Sequence, residues 1–150
     1  MSDEPSTNAA VEWLRSGRDI LNSLEQPPTG VLVTDDFVFK DRRSGFNFGH
    51  IEGAATYLEW LAHTWSLTDD RPHFSILEIV SVHGHRCAAV VMNVDYGNGM
   101  GVEHIECWRL DATLRRANLT VAFDLDDRDG AIAELDRMHA EIDDELETPS

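Results

Sequence analysis

The sequence predicts an α+β fold, one curved and mostly antiparallel sheet with three helices grouped around it. Three observations predict it. Two helix-period segments flank a single early strand. Four β-rich runs then follow in succession, parted by turn signals short enough for hairpins, and a last helical segment closes the chain. At 150 residues one hydrophobic core suffices, so a single domain over 1–150 is expected.

Residues 1–7 and 147–150 are polar and are expected to be disordered. From Asn8, the positions Trp13, Leu14, Ile20, Leu21 and Leu24 recur at helical spacing and predict a helix over 8–25. Gly17 weakens that helix, and Gln26-Pro27-Pro28-Thr29-Gly30 stops it. A strand follows, ending near Asp41. In an extended chain Phe37, Phe39 and Asp41 point the same way, because alternate side chains share a face. The segment 42–50, rich in Gly and aromatics, reads as a loop, and Phe46-Asn47-Phe48-Gly49-His50 is either a cover for a pocket mouth or an ordinary turn. A second helix is expected over 52–67, with Ala54, Tyr57, Leu58, Leu61, Ala62 and Trp65 along one stripe. The β-rich runs are Phe74–Val82, Arg86–Tyr96, Gly101–Leu110 and Leu114–Phe123. The turns between them are His83-Gly84-His85, Gly97-Asn98-Gly99 and Asp111-Ala112-Thr113. The last helix spans 126–145, capped by Asp126 or Asp127, with Ile132, Leu135, Met138, His139 and Ile142 on one face.

A formal net charge of −16 narrows the function classes. Nucleic-acid binding needs clustered Lys and Arg, and this chain carries eleven Arg and one Lys, Lys40, without a basic run. The same charge disfavours an anionic membrane surface, and the apolar runs are too short to span a bilayer. Cys87 and Cys107 sit in strand-like runs without metal-type spacing and are read as buried, reduced thiols. The N-terminus has neither the charged nor the apolar region of a secretory signal, so a cytoplasmic protein is expected. Gly-rich phosphate loops and nucleophile elbows are missing from the sequence, and no cofactor is expected.

Four stretches carry a resemblance: Asp35-Asp36-Phe37-Val38-Phe39-Lys40-Asp41, Ile51-Glu52-Gly53, Ile105-Glu106-Cys107-Trp108-Arg109-Leu110, and Phe123-Asp124-Leu125-Asp126-Asp127 with Ala131, Glu134 and Leu135 behind it. In order and spacing they resemble the nuclear transport factor 2-like superfamily, which includes SnoaL-like cyclases, ketosteroid isomerases and limonene epoxide hydrolases. The tail and the Asp41-Arg42-Arg43 run are similar to small SnoaL-like domains of actinobacterial type. The resemblance implies a cone-like curved sheet around a pocket, a cystatin-like α+β barrel, and a homodimer through the exposed sheet face. It also implies that Asp41 stands where the isomerases keep their general base, and Glu106 where they keep the acid that donates to the oxyanion. Two departures count against steroid isomerisation as such. The first helix offers Trp13 but no tyrosine, and Asp41 is followed by Arg42 where the isomerases have proline.

Two readings follow. In one, the chain is a cofactor-independent enzyme on a small apolar substrate, with Asp41 and Glu106 catalytic. Two carboxylates in one apolar cavity cannot both ionise freely, so one serves as base while the other donates. In the other, the domain only binds a small ligand or a protein, and Arg42, Arg43 or Arg109 neutralises one of the acids. His104, Glu106, Trp108 and Leu110 share a strand face, making His104 either a proton shuttle or a hydrogen-bonding cavity rim. Trp13, Phe37, Phe39, Tyr57, Trp60, Trp65, Phe74 and Trp108 are either pocket lining or plain core. The His83/His85 and His104/Glu106 pairs raise a metal site only weakly, since nothing in the sequence brings them together.

Overall fold

The computed structural model describes residues 7–26, 33–44, 49–68, 72–97 and 99–147. The elements run α1 (Ala9–Ser23), β1 (Val33–Asp41), β2 (His50–Glu52), α2 (Ala54–Ser66), β3 (His73–His83), β4 (Cys87–Gly97), β5 (Met100–Leu110), β6 (Ala117–Asp124) and α3 (Arg128–Glu147). All six strands form one sheet in the order β2-β1-β6-β5-β4-β3. Among the described strands only β1 and β6 run parallel. The sheet is curved and unclosed, with β2 and β3 at its edges. Register shifts in the β3–β4 ladder, between Ile76 and Glu78 and between Ile79 and Ser81, supply the local bends.

Each face of the sheet has its own core. Alternation along the strands sends Phe37, Phe39, Val90, Met92 and Trp108 to one face, under α1 and α2. The intervening residues Cys87, Val91, Ile105, Cys107 and Val121 point to the other, where Leu135, Met138 and Ile142 of α3 cover them. The face expected to be open for dimerisation therefore carries α3, and only two of the three helices stand over the concave side.

The helix starts position the site. Asn8 caps α1, its side-chain oxygen accepting from the Val11 amide at 3.0 Å. Its Nδ2 donates to the Gly84 and Cys87 carbonyls, and the Ala10 amide donates to the His85 carbonyl. Those bonds pin α1 to the β3–β4 turn. Gly53, at φ 92°, is a conformation other residues avoid, and its amide donates to the Phe37 carbonyl at 2.7 Å. This corrects the expectation that Ile51 and Glu52 open the second helix. They form β2 against β1 instead, and the helix begins only after the left-handed glycine.

The strand expected from Leu114 begins at Ala117. Leu114 takes φ 63°, and the Asp111 amide closes the turn on the Arg116 carbonyl at 2.7 Å. At the start of α3 it is Asp127 that caps, its carboxylate accepting from the Gly130 amide at 3.2 Å. Thr7 donates to Glu12, and α3 runs as far as Glu147. The Phe46-Asn47-Phe48 cover, the 26–30 stop signal beyond Gln26, and the rest of both tails lie outside the described residues. No helix among the described residues is long and apolar enough to cross a membrane.

Candidate functional site

Between α1, α2 and the concave side of β3, β4 and β5 lies a cavity of about 310 Å³. That is the low end of the roughly 300–1,000 Å³ occupied by small-molecule sites. Its wall is mostly apolar. Trp13 and Leu14 come from α1, Tyr57 and Trp60 from α2, Phe39 from β1 and Trp108 from β5. The rings brace one another. Trp13 meets Trp108 at 5.2 Å between centroids, Tyr57 stacks on Trp60 at 5.8 Å, and Phe39 lies 5.4 Å from Trp60.

The polar end is built on β5. His104, Glu106 and Trp108 project from alternate positions to the same face, as their spacing requires. The His104 Nε2 donates to Glu106 Oε2 at 2.7 Å, and the Trp108 indole donates to Glu106 Oε1 at 2.8 Å. Each carboxylate oxygen thus holds one donor and keeps lone-pair capacity for a ligand. Burial alone pushes the Glu106 carboxyl up. The His104 and Trp108 hydrogen bonds and the nearby Arg43 guanidinium together outweigh that and hold it below the usual carboxylate range. Glu106 is therefore an ionised acceptor at neutral pH, not a protonated donor. His104 is buried on the same wall, and its Nδ1 has no hydrogen-bond partner among the described residues.

Two tyrosines complete this end. Tyr57 from α2 and Tyr96 from β4 both line the cavity, and neither hydroxyl bonds to another described residue. Burial pushes both phenols up, and the Glu106 charge adds to the rise, so both stay protonated donors.

Asp41 and Phe37 do not reach the cavity wall. Asp41 is wholly buried and bound by Arg43 in a fork. Arg43 Nε donates to Oδ1 and Nη2 to Oδ2, both at 2.8 Å, and the Arg43 amide adds a third bond at 3.1 Å. It is Arg43 that presents its side chain to the cavity. Phe37 is fully buried behind the wall, 4.8 Å from Tyr57 and 6.1 Å from Trp108. Of the remaining aromatics, Phe74 lines the cavity and Trp65 supports it from behind at 6.1 Å. His83 pairs with Asp136 and stacks on His139, on the α3 side of the sheet and away from His104.

Sequence reasoning missed the β4 contribution, where Met92, Val94 and Tyr96 line the cavity. The signal was the alternation Met92-x-Val94-x-Tyr96. It was masked because β4 is buried on both faces and reads as one continuous apolar run.

No family model matches the chain, and no curated protein matches it. Solved structures do. An NTF2-like protein of unknown function from Cytophaga hutchinsonii superposes at a TM-score of 0.56, with 11% identity over 77% of this chain and 89% of that one. Rv0760c of Mycobacterium tuberculosis, in complex with estradiol-17β-hemisuccinate, gives 0.61 at 12% identity over 77% and 93%. An LEH-like epoxide hydrolase of M. tuberculosis gives 0.53 at 17% identity over 87% and 94%. Identities this low speak to architecture and not to activity. With the open curved sheet, the two helices over its concave side and the cavity between them, they establish that the chain has the nuclear transport factor 2-like, or cystatin-like, fold.

Proposed function

We propose that the chain binds a small, mainly apolar molecule in this cavity, anchored by Glu106 at its polar end. The observation that carries the reading is a carboxylate held by two donors on the wall of an aromatic cavity. Taking a charge out of water is costly, and here two buried side chains are committed to holding it there. A ligand that donates to Glu106, or accepts from Tyr57 or Tyr96, while filling the apolar volume meets every feature of the wall. The complex of Rv0760c, a protein of the same fold, with estradiol-17β-hemisuccinate supports this reading.

A second reading adds catalysis, and the juxtaposition of Glu106 with Tyr57 favours it. A carboxylate that accepts a proton beside a phenol that donates to an oxygen is an arrangement for isomerisation, cyclisation or hydration without a cofactor. Asp41, expected as the base, would then act through Arg43, and Glu106 would take the proton. A thermal-shift screen with steroids, polyketide-like aromatics and terpenes tests the first reading, since a ligand bound only by the native state must raise its melting point. Hits that shift the wild type but not Glu106→Gln support it, and a screen without hits overturns it. Turnover of any hit, lost in both Glu106→Gln and Tyr57→Phe, supports the second. A homodimer would need a surface other than the one α3 covers, and light scattering against the 16.9 kDa chain mass decides that.

A further inference from the structure

Gly17 stands in the middle of α1, where glycine costs stability relative to alanine. Nothing in the backbone asks for it. Its torsion is not left-handed, and a Cβ built there would meet no atom of the described residues within 4 Å beyond its own stretch of helix. Its direction is informative. Residues seven apart on a helix lie within about 20° of each other, so Gly17 faces the same way as Ala10 and Leu24. It is flanked on that face by Trp13, Leu14 and Leu21. Ala10 and Leu14 are packed into the core, whereas Gly17, at the centre of the inward stripe, borders open cavity. The stripe has one gap, and the cavity occupies it.

We propose that Gly17 is a ligand-contact residue that sets the width of molecule the site admits, the apolar body of the ligand packing against the bare α1 backbone there. The inference rests on the binding reading above and deepens it. The ligand it specifies fills the space beside Gly17 that a side chain there would take.

The test compares wild type, Gly17→Ala and Gly17→Leu, with estradiol, 2-naphthol and Nile red as probes. Without ligand, Gly17→Ala should melt about 2–4 °C higher, the shift that a residue of better helix propensity gives a chain of this size. Gly17→Leu should melt no lower than wild type, because its side chain enters open apolar space. With a probe the order reverses. Affinity should fall on the order of tenfold or more for Gly17→Leu, and by less for Gly17→Ala, as expected for overpacking a filled site. If the probes bind wild type and Gly17→Leu equally, the space beside Gly17 is not ligand space, and this inference falls while the binding reading stands. A Gly17→Leu protein that melts well below wild type, while Gly17→Ala melts above it, also overturns the inference, since the space would not be open. If no probe binds wild type, both fall together.

Discussion

Replacing Asp41 by alanine removes one partner of a fully buried ion pair. The Asp41 side chain has no exposure and that of Arg43 only 8%. Two guanidinium hydrogen bonds of 2.8 Å and one amide bond of 3.1 Å end on the lost carboxylate. Breaking such a pair from one side costs about 3–5 kcal/mol, because the remaining charge stays buried with this partner gone. At roughly 2–4 °C per kcal/mol for a chain of this size, the melting temperature should fall by around 10 °C. Removing both partners is far milder. In Asp41→Ala/Arg43→Met neither charge of the pair is left behind without the other, so the double variant should recover most of the loss. Its coupling energy should exceed about 2 kcal/mol, within the range seen for residues in one network. The assay is a double-mutant cycle by urea denaturation at neutral pH. Asp41→Asn, which keeps the shape and removes the charge, should fall between Asp41→Ala and wild type. An Asp41→Ala protein as stable as wild type would refute the reasoning.

Two further predictions follow from single residues. The folded-state pKa of Glu106 lies below its ordinary value of 4.5, so its stabilising contribution is complete above the unfolded-state value and is lost as pH falls through the folded-state one. Glu106→Gln should therefore flatten the acid limb of the stability profile below about pH 4.5, measured as urea midpoints across pH; an unchanged acid limb would mean that the carboxylate is not held charged in the fold. At the start of α3, a Cβ on Gly130 would stand 2.5 Å from Asp127 Oδ1, the oxygen that caps the helix. Gly130→Ala should then forfeit the cap, about 1 kcal/mol, and show none of the gain expected of Gly17→Ala. A stabilised Gly130→Ala protein would show that the cap contributes little.

The fold was legible because its periods are strong. Helix and strand runs alternate with glycine-marked turns, and each run places its large apolar residues at one period. What escaped was set by backbone torsion rather than by side-chain pattern. The three residues of β2 are too few to show alternation, and only the left-handed Gly53 separates them from α2. The start of β6 was misread because Leu114, an apolar residue of strand type, sits at positive φ inside a turn. The position of α3 was hidden for another reason. An amphipathic helix declares that it has a buried face, but not which face of the sheet it covers.

The site was legible to a different depth, and period two explains both what was read and what was overlooked. Alternation placed Phe37, Phe39 and Asp41 on one face of β1, and all three are buried there. Carried two residues past the strand end, the same count puts Arg43 on that face and Arg42 on the opposite one. The structure follows it. Arg43 closes on Asp41, while Arg42 turns away to Glu134 of α3 at 3.4 Å. The count excludes Arg109 as well. Odd-numbered on β5, it faces away from Glu106 and meets Glu141 of α3 at 3.6 Å. Of the three arginines able to neutralise a pocket acid, parity leaves one, Arg43, two residues on from Asp41. Glu106 is then left with the two donors that parity gives it on its own strand, His104 and Trp108. Neither forms an arginine pair with it, so the acid that faces the cavity is Glu106, while Asp41 stands off the wall and is paired with Arg43.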